Sequence, residues 1–302
     1  MTPLVRRGCA LHKPAMPSPL PEPFDRRRRR ARRDRALSRF ADHGFLTHHI
    51  GDELLARLEA VDRRFSRVLV IGACDKTLTD ALRAKGMTVH IAEAGFAAAQ
   101  AAGGIQCDED RLPFADGVFD LVISAGVLDS VNDLPGALVL ARRVLKPDGL
   151  FMAGFLGAGS LPRLRAAMMQ ADFAGGGGVA ARIHPQIDVR SAGDLLARAG
   201  FALPVSDGET LEARYRDLGG LLADLRFGAQ GGVLAGPRAP LTRIQAAAAH
   251  GAFLSEADAD GRVTERFEIV YLIGWAPDES QPKPARRGSA VASLASALKA
   301  KS

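Results

Sequence analysis

Between residues 67 and 155 short apolar runs alternate with helix-length stretches, and this alternation constrains the fold more than any other feature of the chain. Arg67-Val-Leu-Val-Ile71 is a β-branched run ending at Gly72, the pattern of a buried strand. A helix is expected over 77–85, stopped by Gly86, then a strand over 88–92. A short helix over 96–102 closes on Gly103-Gly104 and leads to a third strand over 105–107. Strands over 119–124 and 150–155 flank a helix over 134–145, and another helix covers 161–173. Strands and helices alternating across short loops predict a parallel sheet covered on both faces, doubly wound because the crossovers are right-handed. The fold class is α/β, with a Rossmann-like, mostly parallel sheet of seven strands.

The second half has a different rhythm. Glycines 175–178 form a joint, a helix over 189–199 stops at Gly200, and a strand follows over 201–205. Helices are expected over 209–226 and 241–254, a tight turn at Asp258-Ala-Asp-Gly261, and a long strand over 262–275. This order suits closure of the same sheet, with a helical insert at about 207–258 before its last strand. The chain then divides into a disordered segment 1–23, a basic helical region 24–66, the α/β domain 67–275 and a tail 276–302 with a short helix over 290–299. No apolar run is long enough for a membrane helix, and the first residues lack a signal-peptide core. The three cysteines, Cys9, Cys74 and Cys107, show no C-x-x-C spacing, which argues against a disulfide framework or a zinc site. The cytoplasm is the simplest location.

The net charge of +6 is concentrated in one place. Residues 25–39 hold nine arginines against Asp25 and Asp34, a balance of +7, so the rest of the chain sums to −1. Such a segment is either a phosphate-binding arm or a charged helix lying over the domain with Phe24, Ala31, Leu37 and Phe40 touching it. No aromatic residues are interleaved as stacking platforms, so the second reading is favoured and no nucleic-acid partner is expected.

In doubly wound sheets ligands sit beyond the carboxyl ends of the strands, at the switch point. That rule selects residues 72–76, Glu93, Asp108 and residues 124–129, with Ser124 and Ala125 at the end of a strand. A glycine at 72 lets the backbone approach a ligand closely, with Ala73 and Cys74 following it in the turn. Glu93 is placed to accept hydrogen bonds from ribose hydroxyls, and Asp108 from an adenine amino group. Together they describe a nucleoside pocket, although each alone is common in α/β proteins. Asp129 either orients a substrate donor, acts as a base, or caps a loop. His184, Tyr215 and Arg226 fall where an insert would face the site, able to hold a carboxylate or a peptide arginine, or else pack and solvate in the ordinary way. His48-His49 has no carboxylate at ligand spacing and is read as helix surface, so no metal is expected. Cys74 and Cys107 are read as buried small hydrophobes in preference to a redox pair.

Asp108-Glu109-Asp-Arg-Leu-Pro-Phe114, Phe119-Asp-Leu-Val122 and Leu145-Lys-Pro-Asp-Gly149 resemble core motifs of class I S-adenosylmethionine-dependent methyltransferases of the type 11 group, which includes the malonyl-acyl-carrier-protein O-methyltransferases. Phe24-Asp-Arg26, Val131-Asn-Asp-Leu-Pro135, Arg198-Ala-Gly-Phe201, Asp224-Leu-Arg226, Ile273-Gly-Trp275, Glu279-Ser-Gln281 and Arg287-Gly-Ser-Ala290 resemble the mitochondrial complex I assembly factors of that superfamily and their bacterial relatives. The resemblance implies S-adenosyl-L-methionine as cofactor, held by Gly72, Ala73, Cys74, Glu93, Asp108, Glu109, Ser124 and Ala125. It implies methyl transfer to a small acid or protein side chain; the alternatives are an arginine hydroxylase, or a non-catalytic assembly factor, for respiratory complex I. The family's first turn reads acidic-x-Gly-x-Gly-x-Gly, whereas here Val70 stands at the acidic position, and Cys74 and Lys76 replace two glycines. A His-Trp pair often precedes the Val-Asn-Asp motif in these relatives; Asp129 and Ser130 stand there instead.

Overall fold

A computed structural model describes residues 22–72, 76–176, 178–237 and 240–282. Residues 1–21 of the expected disordered segment 1–23, the tail helix over 290–299, and Ala73 and Cys74 lie outside the described residues. Ten helices are described: α1 Arg26–Ala36, α2 Phe40–His43, α3 Phe45–Glu59, α4 Thr77–Ala84, α5 Phe96–Ala102, α6 Leu134–Val144, α7 Pro162–Ala174, α8 Val189–Arg198, α9 Leu218–Phe227 and α10 Arg243–Leu254. Seven strands are described: β1 Arg67–Ile71, β2 Thr88–Glu93, β3 Ile105–Gln106, β4 Phe119–Ala125, β5 Leu145–Leu156, β6 Ala202–Tyr215 and β7 Val263–Trp275. They form one sheet in the order β3-β2-β1-β4-β5-β7-β6, parallel from β3 through β5, with β7 antiparallel to both neighbours. This is the expected doubly wound, seven-stranded sheet, with its switch point between β1 and β4.

The apolar runs explain the layers. Val68, Leu69, Val70 and Ile71 are all buried because β1 lies in the middle of the sheet with helices on both faces. On one face α3 presents Leu46, Ile50, Leu54 and Leu58, a run at four-residue spacing that lies along one side of a helix. Each such side chain contributes about 1.5–3 kcal/mol by leaving water. The other face is covered by α6 and α8 through Leu138, Ala141, Val144 and Leu196. Caps fix where helices begin: Asp133, Asp188 and Asp217 each accept a backbone N–H three residues on, and Thr242 and Gln245 form a reciprocal capping box. No described helix is long and apolar enough to cross a membrane.

Two expectations are corrected. Residues 209–215 are not helical; they finish the fourteen-residue strand β6, which pairs with β7 from Ala202↔Trp275 to Tyr215↔Val263. Glu209-Thr-Leu-Glu-Ala-Arg carries good helix formers, but Glu209, Leu211, Ala213 and Tyr215 turn inward while Thr210, Glu212 and Arg214 face water. That period of two, locked by the β7 ladder, overrides a propensity worth only tenths of a kcal/mol per residue. The second correction concerns α1. It does lie over the domain, with Phe24 and Phe40 buried, but Ala31 and Leu37 are only half-buried, and the side chains it sinks deepest include Arg29 and Arg33.

Candidate functional site

The switch point places Gly72 with φ +84°, its N–H donating to the Ala92 carbonyl at 2.9 Å. A Cβ there would come within 2.4 Å of Val127 Cγ1, and the Ala125 carbonyl is close by. The glycine is thus required by its own protein neighbours, whatever else approaches it. Ser124 and Ala125 are buried at the end of β4, and the Ser124 hydroxyl has no hydrogen-bond partner among the described residues. The cavity beside Gly72 measures about 10 Å³, room for roughly one water. Gly72→Ala is expected to lower stability by about 1–3 kcal/mol, through strain at positive φ and overpacking. Adding Val127→Ala should recover part of that loss in urea melts. Equal melts for the single and double variants would show that Val127 is not what the glycine accommodates.

Around this point stands a wall of carboxylates, and α1 supplies a guanidinium to each. Arg26, Arg29, Arg30 and Arg33 recur at i, i+3, i+4 and i+7, so they share one face of the helix. Arg33 forks onto Glu93, which is wholly inaccessible to solvent: Nε donates to Oε1 and Nη2 to Oε2 at 2.7 Å. The Gly95 N–H adds a third donor to Glu93 at 3.1 Å. Arg29 grips Glu109 at 2.7 and 2.9 Å and also reaches the Val127 carbonyl and the Ser130 hydroxyl. Arg30 Nε and Arg26 Nη1 donate to the two oxygens of Asp108 at 3.1 and 3.2 Å, and Arg26 forks onto Asp110 with two 2.6 Å bonds. Paired forks of this kind are the strongest hydrogen-bonded ion pairs proteins make. Burial pushes the Glu93 carboxyl up, but Arg33 and the Gly95 amide outweigh it and hold it below the usual range. At Asp108 burial is likewise outweighed by Arg30 and Arg26. The signal was present in the sequence as charges at helical spacing; what it lacked was the identity of the acids opposite.

Part of the second group of expected residues meets in another place. A cavity of about 310 Å³ opens between α1, α7, α9 and the segment 182–186, and Asp129, His184 and Arg226 line it. The Val233 N–H donates to His184 Nε2 at 2.8 Å, so the ring proton sits on Nδ1, which faces Asp129 Oδ2 across 3.9 Å. Tyr215 is not in this lining. It is buried in the core, where burial first and then Asp224 push its phenol well above the usual range. His49 was expected on helix surface without a carboxylate in reach. The structure corrects this: Glu53 on the same face of α3 and Glu209 on β6 bring ligand atoms within 4.8 Å of it and of one another. His49 Nε2 lies 3.0 Å from Glu209, and Tyr271 donates to the other Glu209 oxygen at 3.1 Å. Cys107 is the described free cysteine; burial, then Glu109 and Asp108, raise its thiol to about 12, which keeps it protonated and unreactive.

Residues 59–153 match the family model described as a methyltransferase domain. The arginine-hydroxylase NDUFAF5, mitochondrial, of Danio rerio is 32% identical over 288 residues, covering 90% of this chain and 88% of the relative. A malonyl-[acyl-carrier protein] O-methyltransferase of Halorhodospira halophila is 32% identical over 266 residues, covering 83% and 88%. The chain belongs to the class I methyltransferase superfamily. The YcgJ protein of Bacillus subtilis agrees at the level of the fold, with a TM-score of 0.52 at 16% identity over 75% of this chain and 99% of that one.

Membership raises the question whether S-adenosylmethionine fits here. The expected pocket gives the cofactor's ribose to Glu93 at its strand end and the adenine amino group to Asp108. In this chain Glu93 already receives three N–H donors from protein, and Asp108 is bound by two guanidiniums. Val127 packs against Gly72 where a Cβ would stand. The residues do not fit the cofactor in this arrangement, since a nucleoside could reach Glu93 only by breaking its fork with Arg33.

Proposed function

We propose that this methyltransferase-family chain works with α1 in place of the nucleoside, as a binding and assembly protein and not as a methyl donor enzyme. The single observation that carries this reading is the Arg33–Glu93 fork, which satisfies from within the chain the carboxylate that a ribose would need. The loss of the later loop glycines, with Lys76 bringing positive charge toward a sulfonium ligand, points the same way. The relatives named arginine-hydroxylase NDUFAF5 support a protein partner, and the resemblance of the tail and insert motifs supports a respiratory complex I subunit as that partner. Calorimetric titration of the full chain with S-adenosylmethionine is expected to give no saturable heat up to millimolar ligand. Saturable binding that Glu93→Ala weakens would return the chain to the methyl-transferring enzymes of its superfamily, acting on a small acid or protein side chain.

A second reading has its own observation. Glu93, Asp108, Glu109 and Asp110 already hold four guanidiniums, so this wall suits arginine side chains as a class. A partner's arginine could take the slot from α1, in keeping with the relatives' name. An arginine-rich peptide that leaves protease protection of α1 unchanged would speak against it.

A further inference from the structure

His49 and Glu53 stand on one face of α3, four residues apart, and Glu209 reaches the same point from β6, the edge strand of the sheet. One ligand atom from each lies within 4.8 Å of those of the other two. None of the three belongs to the carboxylate wall or lines the 310 Å³ cavity. The side chains of His49, Glu209 and Glu53 are 29%, 33% and 40% exposed, so an ion can reach them from solvent.

The charge gathered here is not answered within the chain. Glu53 accepts no hydrogen bond from a described residue, and the Arg57 Nε beside it stays 4.0 Å from its carboxylate. Arg57 is committed elsewhere: its Nη1 donates to Asp207 at 2.5 Å, and its guanidinium lies over the Tyr271 ring at 4.0 Å. A plain His49–Glu209 hydrogen bond has no need of Glu53, which only adds like charge; a bound cation turns that charge to advantage. Tyr271 donates to Glu209 Oε2 at 3.1 Å and so leaves Oε1 turned to His49 at 3.0 Å, as the outer partners of metal ligands do. One imidazole and two carboxylates suit zinc and its neighbours in the first transition row, whereas Ca²⁺ and Mg²⁺ demand more oxygens than these three side chains supply. Ligand atoms of a tetrahedral zinc centre stand roughly 3.4 Å apart, a spacing His49 and Glu209 already meet and Glu53 reaches by turning its exposed side chain. We propose that His49, Glu53 and Glu209 bind a divalent transition-metal ion of the zinc type, with a fourth position open to water, and that the ion bolts α3 to the edge strand. The ion takes the place of the Nε2 proton shared with Glu209, the neutral ring then carrying its hydrogen on Nδ1.

The inference is independent of the α1 reading, since α1 supplies no ligand. Its test uses the untagged full chain, stripped of metal by chelator and dialysed. Titration with Zn²⁺ should saturate at a single ion per chain well below millimolar concentration, while Mg²⁺ and Ca²⁺ give no saturable heat in that range. Co²⁺ in place of Zn²⁺ should show a visible ligand-field band without the sulfur-to-metal charge-transfer absorption that binding to Cys9, Cys74 or Cys107 would produce. His49→Gln, Glu53→Gln and Glu209→Gln should each weaken Zn²⁺ by about a hundredfold, at least what the loss of an outer partner costs. The melting temperature of the wild type should climb with Zn²⁺ concentration, and that of Glu209→Gln should not. Where a variant fails to fold, the wild-type stoichiometry, cobalt spectrum and melting series still decide. Failure to saturate by millimolar Zn²⁺, thiolate absorption with Co²⁺, or undiminished affinity in the folded variants would overturn the proposal.

Discussion

Arg33→Ala is expected to destabilise the fold by about 3–5 kcal/mol in urea unfolding, more than any other single change on α1. The reason is asymmetry. The variant leaves Glu93 charged, wholly buried and stripped of the Arg33 fork, while the Gly95 N–H at 3.1 Å stays in place. Losing the attraction is the smaller part of the cost; stranding the carboxylate is the larger. Two controls follow from this. Replacing both partners with apolar residues of similar volume should recover most of the loss, because no charge is then stranded. Arg30→Ala, whose guanidinium is more than a third exposed and whose partner Asp108 keeps Arg26, should cost far less. If Arg33→Ala and Arg30→Ala cost the same, the fork on Glu93 is not the anchor of α1.

Acid should release the same latch. Glu93 and Asp108 both have folded pKa values held below their ordinary ones, so each binds its proton more readily in the unfolded chain. Their contribution is fully present above the unfolded values, about 4.3 for glutamate and 3.9 for aspartate, and is lost as pH falls further through the folded values. Melting temperature should thus hold steady from neutrality to about pH 5 and fall steeply below about pH 4. Arg33→Ala should behave differently. Its stranded Glu93 gains by taking a proton, so the gap between variant and wild type should narrow as pH falls from 7 toward 4. A gap that stays constant across that range would mean that Glu93 stays ionised in the folded variant with no raised affinity for a proton, and so is not stranded. Raising the salt should change little in the wild type, because the Arg33–Glu93 pair is shielded from counterions.

Much of the fold was legible because it is written in period and punctuation. Helix α5 over 96–102 and strand β1 over 67–71 needed only an apolar run and a flanking glycine, and both stand where expected. The second half of strand β6 was not legible, because Glu-Thr-Leu-Glu-Ala-Arg suits either a helix or an edge strand; the deciding ladder belongs to β7, some fifty residues later. At the site, position was legible and partnership was not. Gly72, Glu93 and Asp108 do gather at the strand ends, but their neighbours are an arginine helix and Val127. Asp129, His184 and Arg226 share a cavity that no spacing announced, since the segments bearing them meet only in space. Glu53 was the nearest miss: four residues beyond His49, it sat at helical spacing in plain view, but Glu209 had been assigned to a helix and not to the strand opposite.

The arginine latch also orders events during synthesis. The donors on α1 are made first, and their acceptors lie 60 to 84 residues further along the chain. Until those acceptors leave the ribosome, α1 is a run of like charges at i, i+3 and i+4, which repel one another and disfavour a free helix. Docking must therefore come after β2 and the segment through Asp110 have formed, so the first of the described helices is set among the last. A nascent chain arrested before that point would present nine bare arginines to the surrounding ribosomal RNA. The latch thus reports that the sheet edge is complete, and its closing removes a cationic segment that would otherwise delay release.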